Sequence, residues 1–366
     1  MNPDVANSET RFIQERDAAC SEPRCLEFGA RILLDEFDEV AGRIDLSSGT
    51  QAAPSMCQGF NYEQRARIPA PVWRPPTGLE RDRLIVKARP YDSGTVIAIV
   101  RIPPELLRPL GMLRDAAAAC SDRKEVLQLV NVPECIHGIT RIKKYLRQHF
   151  TRDGEPEGGI VVKPPKLATV TTNPRSNLLV GMHLDDWYRF PLQRRHASPN
   201  RICVNIGCED RFLLFLGLTI QQIHDALISA GVEISFADKG GTALGRTFMN
   251  LFSSYPVVRV RVRPGEAYIA PTENIVHDGS SAEMSTFDVS LSLRGTFEPV
   301  QKSCRPLVDP IVHPVSICGY SWKARDAAAT SSRPDPPVTE RTAPCRLSSS
   351  AISTSSGTRL RAASPH

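Results

Sequence analysis

The chain has no long apolar run. None approaches the roughly 18 residues of a membrane span, and the opening MNPDVANSETRFIQERD holds no apolar stretch of the kind a signal peptide carries. The expectation is a cytoplasmic protein with no membrane association. An excess of one charge is also missing from most of the chain. Of 45 Lys/Arg and 40 Asp/Glu, nine basic and four acidic residues fall in 301–366, which leaves 36 of each sign in residues 1–300. A neutral body has no general electrostatic reason to bind nucleic acid or anionic lipid. There is no CxxC pair. The ten cysteines are scattered, and the two closest pairs, Cys20/Cys25 and Cys203/Cys208, match no common zinc spacing. Reduced, incidental thiols follow, and neither a disulfide scaffold nor a zinc site does. Aromatics are scarce at 6% of residues, whereas the 30 prolines exceed ordinary usage and point to unstructured segments.

The 366 residues suffice for one large domain or two medium ones. Four stretches separate by pattern. Residues 1–159 read as an N-terminal mixed α/β support and lid region. RFIQERDAA and CLEFGARILLDEFDEVAGRI have partial helical spacing, PAPVWRPPTG is a proline-rich loop, and RLIVKARPY and GTVIAIVRI read as strands. PPELLRPLGMLRDAAAACS reads as a helix that Pro109 should kink or split. ITRIKKYLRQHF is an amphipathic helix whose basic face is either solvated or open to an acidic partner.

Residues 160–300 are dominated by short strands: GIVVKPP, KLATVTT, NLLVGMHLDDWY, NRICVNIG, RFLLFLGL, YPVVRVRVRP, GEAYIAP and TFDVSLSLRGTF. One clear helix, TIQQIHDALISAGV, ends on a glycine. The expected fold class is mainly β with α support, with a sandwich or barrel of the jelly-roll (double-stranded β-helix) kind as its core. Residues 301–324 are expected to pack on that core. Residues 325–366, rich in Ser, Thr and Pro, cannot bury enough apolar surface to order and read as a disordered tail.

Chemistry concentrates in GMHLDDWYRF. His183 and Asp185 are two residues apart, so on a strand both project from one face. An imidazole and a carboxylate side by side supply two of the three ligands of a facial triad, and His277 in NIVHDGS is the candidate third, placed at a strand end. In FDVSLSLRGTF, alternation puts Ser290, Ser292 and Arg294 on one face. A guanidinium at the inner end of a strand calls for an anion, and its planar fork suits a carboxylate.

Together these residues resemble the Fe(II)/2-oxoglutarate-dependent dioxygenase superfamily, the jelly-roll oxygenases. That family carries HxD or HxE, a distal His, and an Arg on the closing strand. Here the pattern reads His183-Leu184-Asp185, His277 and Arg294, over about residues 160–300. Arg294 lies farther past the distal His than is common in the family, an excess the loop GSSAEMSTFD can absorb. The resemblance implies Fe(II) held by His183, Asp185 and His277. It implies 2-oxoglutarate as co-substrate, its far carboxylate on Arg294 with Ser292, and O2 as oxidant. Succinate and CO2 would be released, with hydroxylation the default outcome and desaturation, epoxidation or ring closure the variants. The expected substrate is a small molecule or an amino-acid- or peptide-type compound; no pattern dictates an oligomeric state.

Other readings of the same residues stay open. His183 can be a core histidine bonded to Asp185, His277 a turn residue, and Arg294 the partner of Asp288 or Glu298. A cupin-like barrel would keep the three ligands with no use for Arg294, and an interaction protein would use the basic tail instead. Arg259, Arg261 and Arg263 share a strand face that reads as an outer surface in preference to an anion-binding wall. Trp187, Tyr188 and Arg189 follow the metal pair and are candidates for the mouth of the site. Cys203 and Asn205 are candidates to face the cavity.

Overall fold

A computed structural model describes residues 28–34, 42–86, 92–150, 155–234 and 241–298. The expected packing extension (301–324), the expected disordered tail (325–366) and the helical pattern of RFIQERDAA lie outside the described residues. Eight strands precede the main helical segment: β1 (Arg31–Leu33), β2 (Ile44–Ser47), β3 (Thr50–Ala52), β4 (Met56–Cys57), β5 (Phe60–Asn61), β6 (Arg67–Pro69), β7 (Trp73–Arg74) and β8 (Val96–Arg101). Seven follow it: β9 (Glu157–Lys163), β10 (Asn200–Asn205), β11 (Arg211–Thr219), β12 (Val257–Val262), β13 (Glu266–Ala270), β14 (Ile275–Ser280) and β15 (Asp288–Gly295).

Two sheets dominate. One has six strands in the order β1-β8-β13-β10-β15-β9, the other five in the order β14-β11-β12-β2-β7. All named pairings in them are antiparallel except β1 with β8. Neither sheet closes into a barrel. Within 157–295 the pairing is nested. The first strand pairs with the last (β9 with β15), and the stretch around His183 bridges β14. Further in, β10 pairs with β13, and β11 with β12. Strands from the expected support region (β1, β2, β7, β8) extend both sheets, so the two expected regions share one pair of sheets.

Alternation explains the layers. On β10, Ile202 and Val204 point outward into a cluster with Val289, Leu291 and Leu293 of β15 and with Leu113, Ile142 and Leu146 from helices. Cys203 points the other way, into a second cluster where Tyr268 and Ile97 of the six-stranded sheet meet Leu213, Phe215, Val258 and Val260 of the other. The opposite face of β11, with Phe212, Leu214 and Leu216, packs on helices Ile220–Ser229 and Gly241–Leu251. The order is thus helix, sheet, sheet, helix. Each fully buried Phe or Leu contributes roughly 1.5–3 kcal/mol of transfer free energy to that stack.

The fold is mixed, with about 30% helix and 31% strand, where the sequence pattern leads to an expectation of mainly β. Gly241–Leu251 is the helix the strand-rich reading of 160–300 omits, and Pro133–Phe150 begins six residues before the amphipathic pattern of ITRIKKYLRQHF. Pro109 does split its helix, into Pro104–Leu107, a 3-10 turn Arg108–Leu110 and Gly111–Ala119. Ile220–Ser229 carries a capping box from Thr219 and Gln222 and ends at Gly231, whose φ of +74° is the left-handed stop expected of that glycine. Four expected elements differ. Arg31–Leu33 is a strand inside a helical spacing, because its apolar residues pair with β8 and tertiary burial overrides a partial pattern. Leu84 ends the helix Gly78–Leu84 where RLIVKARPY reads as strand. KLATVTT and NLLVGMHLDDWY form isolated bridges only, at Thr172, Leu179 and His183.

Candidate metal centre

His183 lies on no regular strand. Its backbone exchanges two hydrogen bonds with His277 of β14, His183 N–H to His277 O at 3.0 Å and the reverse at 2.7 Å. One antiparallel bridge therefore sets two imidazoles opposite each other, with ring centroids 4.8 Å apart. The Asp185 N–H donates to Thr272 O at 3.0 Å, which ties the third group to the connection before β14. His277 stands in the interior of β14, not at its end, because Asp278, Gly279 and Ser280 continue the pairing with β11.

The side chains of His183, Asp185 and His277 are buried and offer three ligand atoms within 4.8 Å of one another. His183 Nε2 lies 3.7 Å from Asp185 Oδ1, and His277 Nε2 lies 3.8 Å from Asp185 Oδ2. Both Nδ1 atoms face backbone carbonyls, that of His183 to Gly181 O at 2.9 Å and that of His277 to Ile275 O at 3.2 Å. A carbonyl only accepts, so each Nδ1 carries a proton and each Nε2 is the atom turned to the shared space, where it can bind a metal once it carries none. That is how second-layer bonds orient metal-binding histidines. The donor set, two imidazoles and one carboxylate, fits a divalent transition metal such as Fe(II).

The charges of the cluster depend on one another. Burial opposes the cationic form of His183, but Asp185 and Asp278 outweigh it and raise the imidazole to about 10. Burial lowers His277 to about 4, with the His183 and Arg201 cations adding to the effect and Asp185 opposing it. Burial works against ionised Asp185 as well, yet Arg201, helped by the two imidazoles, holds the carboxyl well below its ordinary range. His183 thus carries one proton more than His277, and a dication would take the place of that extra proton.

The triad opens on a cavity of about 230 Å³ between the sheets. Three cations line its wall: Lys163 on β9, Arg201 on β10 and Arg211 on β11. Arg201 donates to Asp185 Oδ2 at 2.6 Å and to Ser292 Oγ at 2.9 Å. Arg211 lies 3.3 Å from Asp288 Oδ2, with both groups essentially inaccessible, and donates to Cys203 Sγ at 2.6 Å. Lys163 Nζ donates to Thr172 Oγ1 at 3.0 Å. Burial pushes the Asp288 carboxyl up, against the pull of Arg211 and Lys163.

The expected residues separate here. Ser292 and Cys203 line the cavity; Asn205 is buried but bonds Glu209 O and Val262 O. Arg294 stands two residues beyond Ser292, at the rim. Its guanidinium stacks 4.1 Å over the Trp187 ring and lies 3.6 Å from Glu157, not beside Asp288 or Glu298. Trp187 lines the mouth and is 57% exposed. It stays in place because Glu273 accepts the backbone N–H of both Trp187 and Tyr188 at 2.9 Å. Arg259 and Arg261 face outward and pair with Asp45, Glu283 and Asp210.

The sequence reading omits all three cations of this cavity, Lys163, Arg201 and Arg211, although two leave a trace. Arg201 begins the alternation Arg201, Cys203, Asn205, and Arg211 is the one charge opening the apolar run of β11. The support for the triad left less. Gly245 in Gly241–Leu251 faces β14 so closely that an added Cβ would lie 2.6 Å from Val276 Cγ2, the residue before His277. Comparison with protein-family profiles, with curated protein sequences and with solved structures returns no match.

Proposed function

We propose that the protein is an Fe(II)- and 2-oxoglutarate-dependent oxygenase acting on a small-molecule or amino-acid- or peptide-type substrate. The observation that carries this reading is the convergence of His183, Asp185 and His277 on one buried point that opens to a cavity lined by three cations. The nested pairing across 157–295 supports a jelly-roll core, since a rolled hairpin is a chain whose first strand pairs with its last, inward to the middle. With Fe(II) and 2-oxoglutarate bound, O2 would be consumed, the keto acid would become succinate and CO2, and the second oxygen atom would enter a substrate C–H bond.

The chain's own groups have distinct tasks in this reading. His183, Asp185 and His277 hold the metal. Arg201 fixes Asp185 and, through it, the geometry of the ligand set. Lys163 and Arg211, which share the cavity wall with the triad, take the far carboxylate of the co-substrate in place of Arg294. Trp187 and Arg294 stand at the mouth, where the substrate enters. A cupin-like metal-binding barrel is the second reading, favoured by the position of Arg294 off the cavity wall.

Anaerobic titration of the full chain with Fe(II) and 2-oxoglutarate separates them. The oxygenase develops a visible metal-to-ligand charge-transfer band that Lys163→Met or Arg211→Met weakens and Arg294→Gln leaves in place. Metal uptake with no dependence on 2-oxoglutarate returns the cupin-like reading, and no uptake removes both.

A further inference from the structure

A larger concavity, of about 700 Å³, shares no residue with the triad cavity. Four arginines line it: Arg101 at the end of β8, Arg108 in the 3-10 turn, Arg114 on Gly111–Ala119, and Arg263 between β12 and β13. Its apolar floor includes Ile102, Leu107 and Pro264. The floor is fixed by backbone bonds, Ile102 N–H to Gly265 O and Gly265 N–H to Asn205 O, both at 2.9 Å.

Among the described residues, three of these arginines have no counter-charge. The one acid on the lining is Glu266, and its carboxylate is committed elsewhere. Both its oxygens accept from the fully buried Arg43 at 2.6 and 3.0 Å, and Oε2 also takes the Arg263 N–H at 2.8 Å. Among the described residues, no carboxylate lies within ion-pair distance of Arg108, Arg114 or Arg263. Arg114 donates Nε to Ile206 O at 3.3 Å, a bond that carries no counter-charge. Residues 1–300 are neutral as a whole, so this is a local concentration of positive charge and not the sampling of a basic protein. Guanidiniums gathered around one concavity repel each other, and a multivalent anion removes that repulsion while matching their planar donors. The apolar floor adds a place for an organic body beneath the charges, and the volume lies in the range of small-molecule sites.

We propose that this groove binds an organic phosphate with at least two negative charges. The phosphoryl groups sit among Arg108, Arg114 and Arg263, and the organic part lies on Ile102, Leu107 and Pro264. The site is separate from the proposed oxygenase chemistry and stands or falls without it.

Calorimetric titration of the full chain at low salt tests it, with ADP as probe and pyrophosphate, adenosine and citrate as comparisons. ADP binds one site, more tightly than pyrophosphate, and adenosine does not bind. Arg108→Glu with Arg263→Glu weakens ADP about tenfold or more, and the milder Arg108→Gln with Arg263→Gln falls between. Unchanged far-UV dichroism and melting temperature show that the variants are folded. No ADP binding, equal affinity in the folded charge-reversed variant, or citrate binding as tightly as ADP each overturns the proposal.

Discussion

The inner cavity and the outer groove are both lined by arginines, and they treat the charge in opposite ways. Inside, each arginine has a carboxylate: Arg201 holds Asp185 and Arg211 faces Asp288. On the groove, Arg108, Arg114 and Arg263 have none among the described residues, and Arg108 and Arg263 are exposed. Solvation accounts for the difference. A charge removed from water is costly unless it is paired, whereas an exposed guanidinium keeps its hydration and needs no partner until a ligand arrives. Pairing within the cavity therefore holds Arg201 and Arg211 in place, whereas among the described residues nothing neutralises Arg108, Arg114 or Arg263.

The comparison breaks first at the triad. His277→Ala should weaken Fe(II) or Co(II) binding by at least about 100-fold in a calorimetric or spectroscopic titration, since outer-layer changes alone cost up to that much. Wild-type affinity in this variant would mean that the three groups are not one site. Next comes the buried pair. Arg211→Leu removes the ion-pair partner of inaccessible Asp288, leaving only the weaker pull of Lys163, and should cost roughly 3–5 kcal/mol in urea unfolding. Adding Asp288→Leu should recover most of the loss, because an apolar pair replaces the ionic one without leaving a charge behind.

Gly245→Ala tests the helix beneath the triad. Helix propensity favours alanine by about 1 kcal/mol, but the contact with Val276 costs more, so a net loss of roughly 1–2 kcal/mol is expected. A gain in stability would show that β14 yields freely. Arg108→Gln on the groove should change stability by less than about 0.5 kcal/mol, as no ion pair is lost. A clear loss there would erase the contrast between the two regions.

The smallest effect concerns pH. Burial opposes ionisation of Glu209, yet hydrogen bonds from Ser285 and Thr286 win and lower its carboxyl from 4.5 to about 2. The folded value lies below the unfolded one, so its contribution is complete above pH 4.5 and disappears as pH falls toward 2. Glu209→Gln should flatten that part of an acid-unfolding curve, and an unchanged curve would remove the tether.

Legibility in the sequence followed periodicity. β8, β10, β11, β12, β13 and β15 were readable because their apolar residues alternate or run together, and Pro109 announced its own break. The helix Gly241–Leu251 was not, because what places it is the close approach of Gly241 to Leu184 and of Gly245 to Val276, which only the fold creates. The two histidines and Asp185 were identifiable by residue type and order, although the strand expected to carry His183 is a single bridge.

Residue chemistry and spacing, properties of the chain itself, determined which groups can bind a metal and which segments alternate between core and surface. Only the folded arrangement decided that His183 and His277, 94 positions apart, face each other across one bridge. It also decided that Arg201 and Arg211 point into the cavity while Arg294 stacks at its rim. The direction of a side chain across two packed sheets depends on which strands become neighbours, and that choice is made by long-range burial and not by any local run of residues.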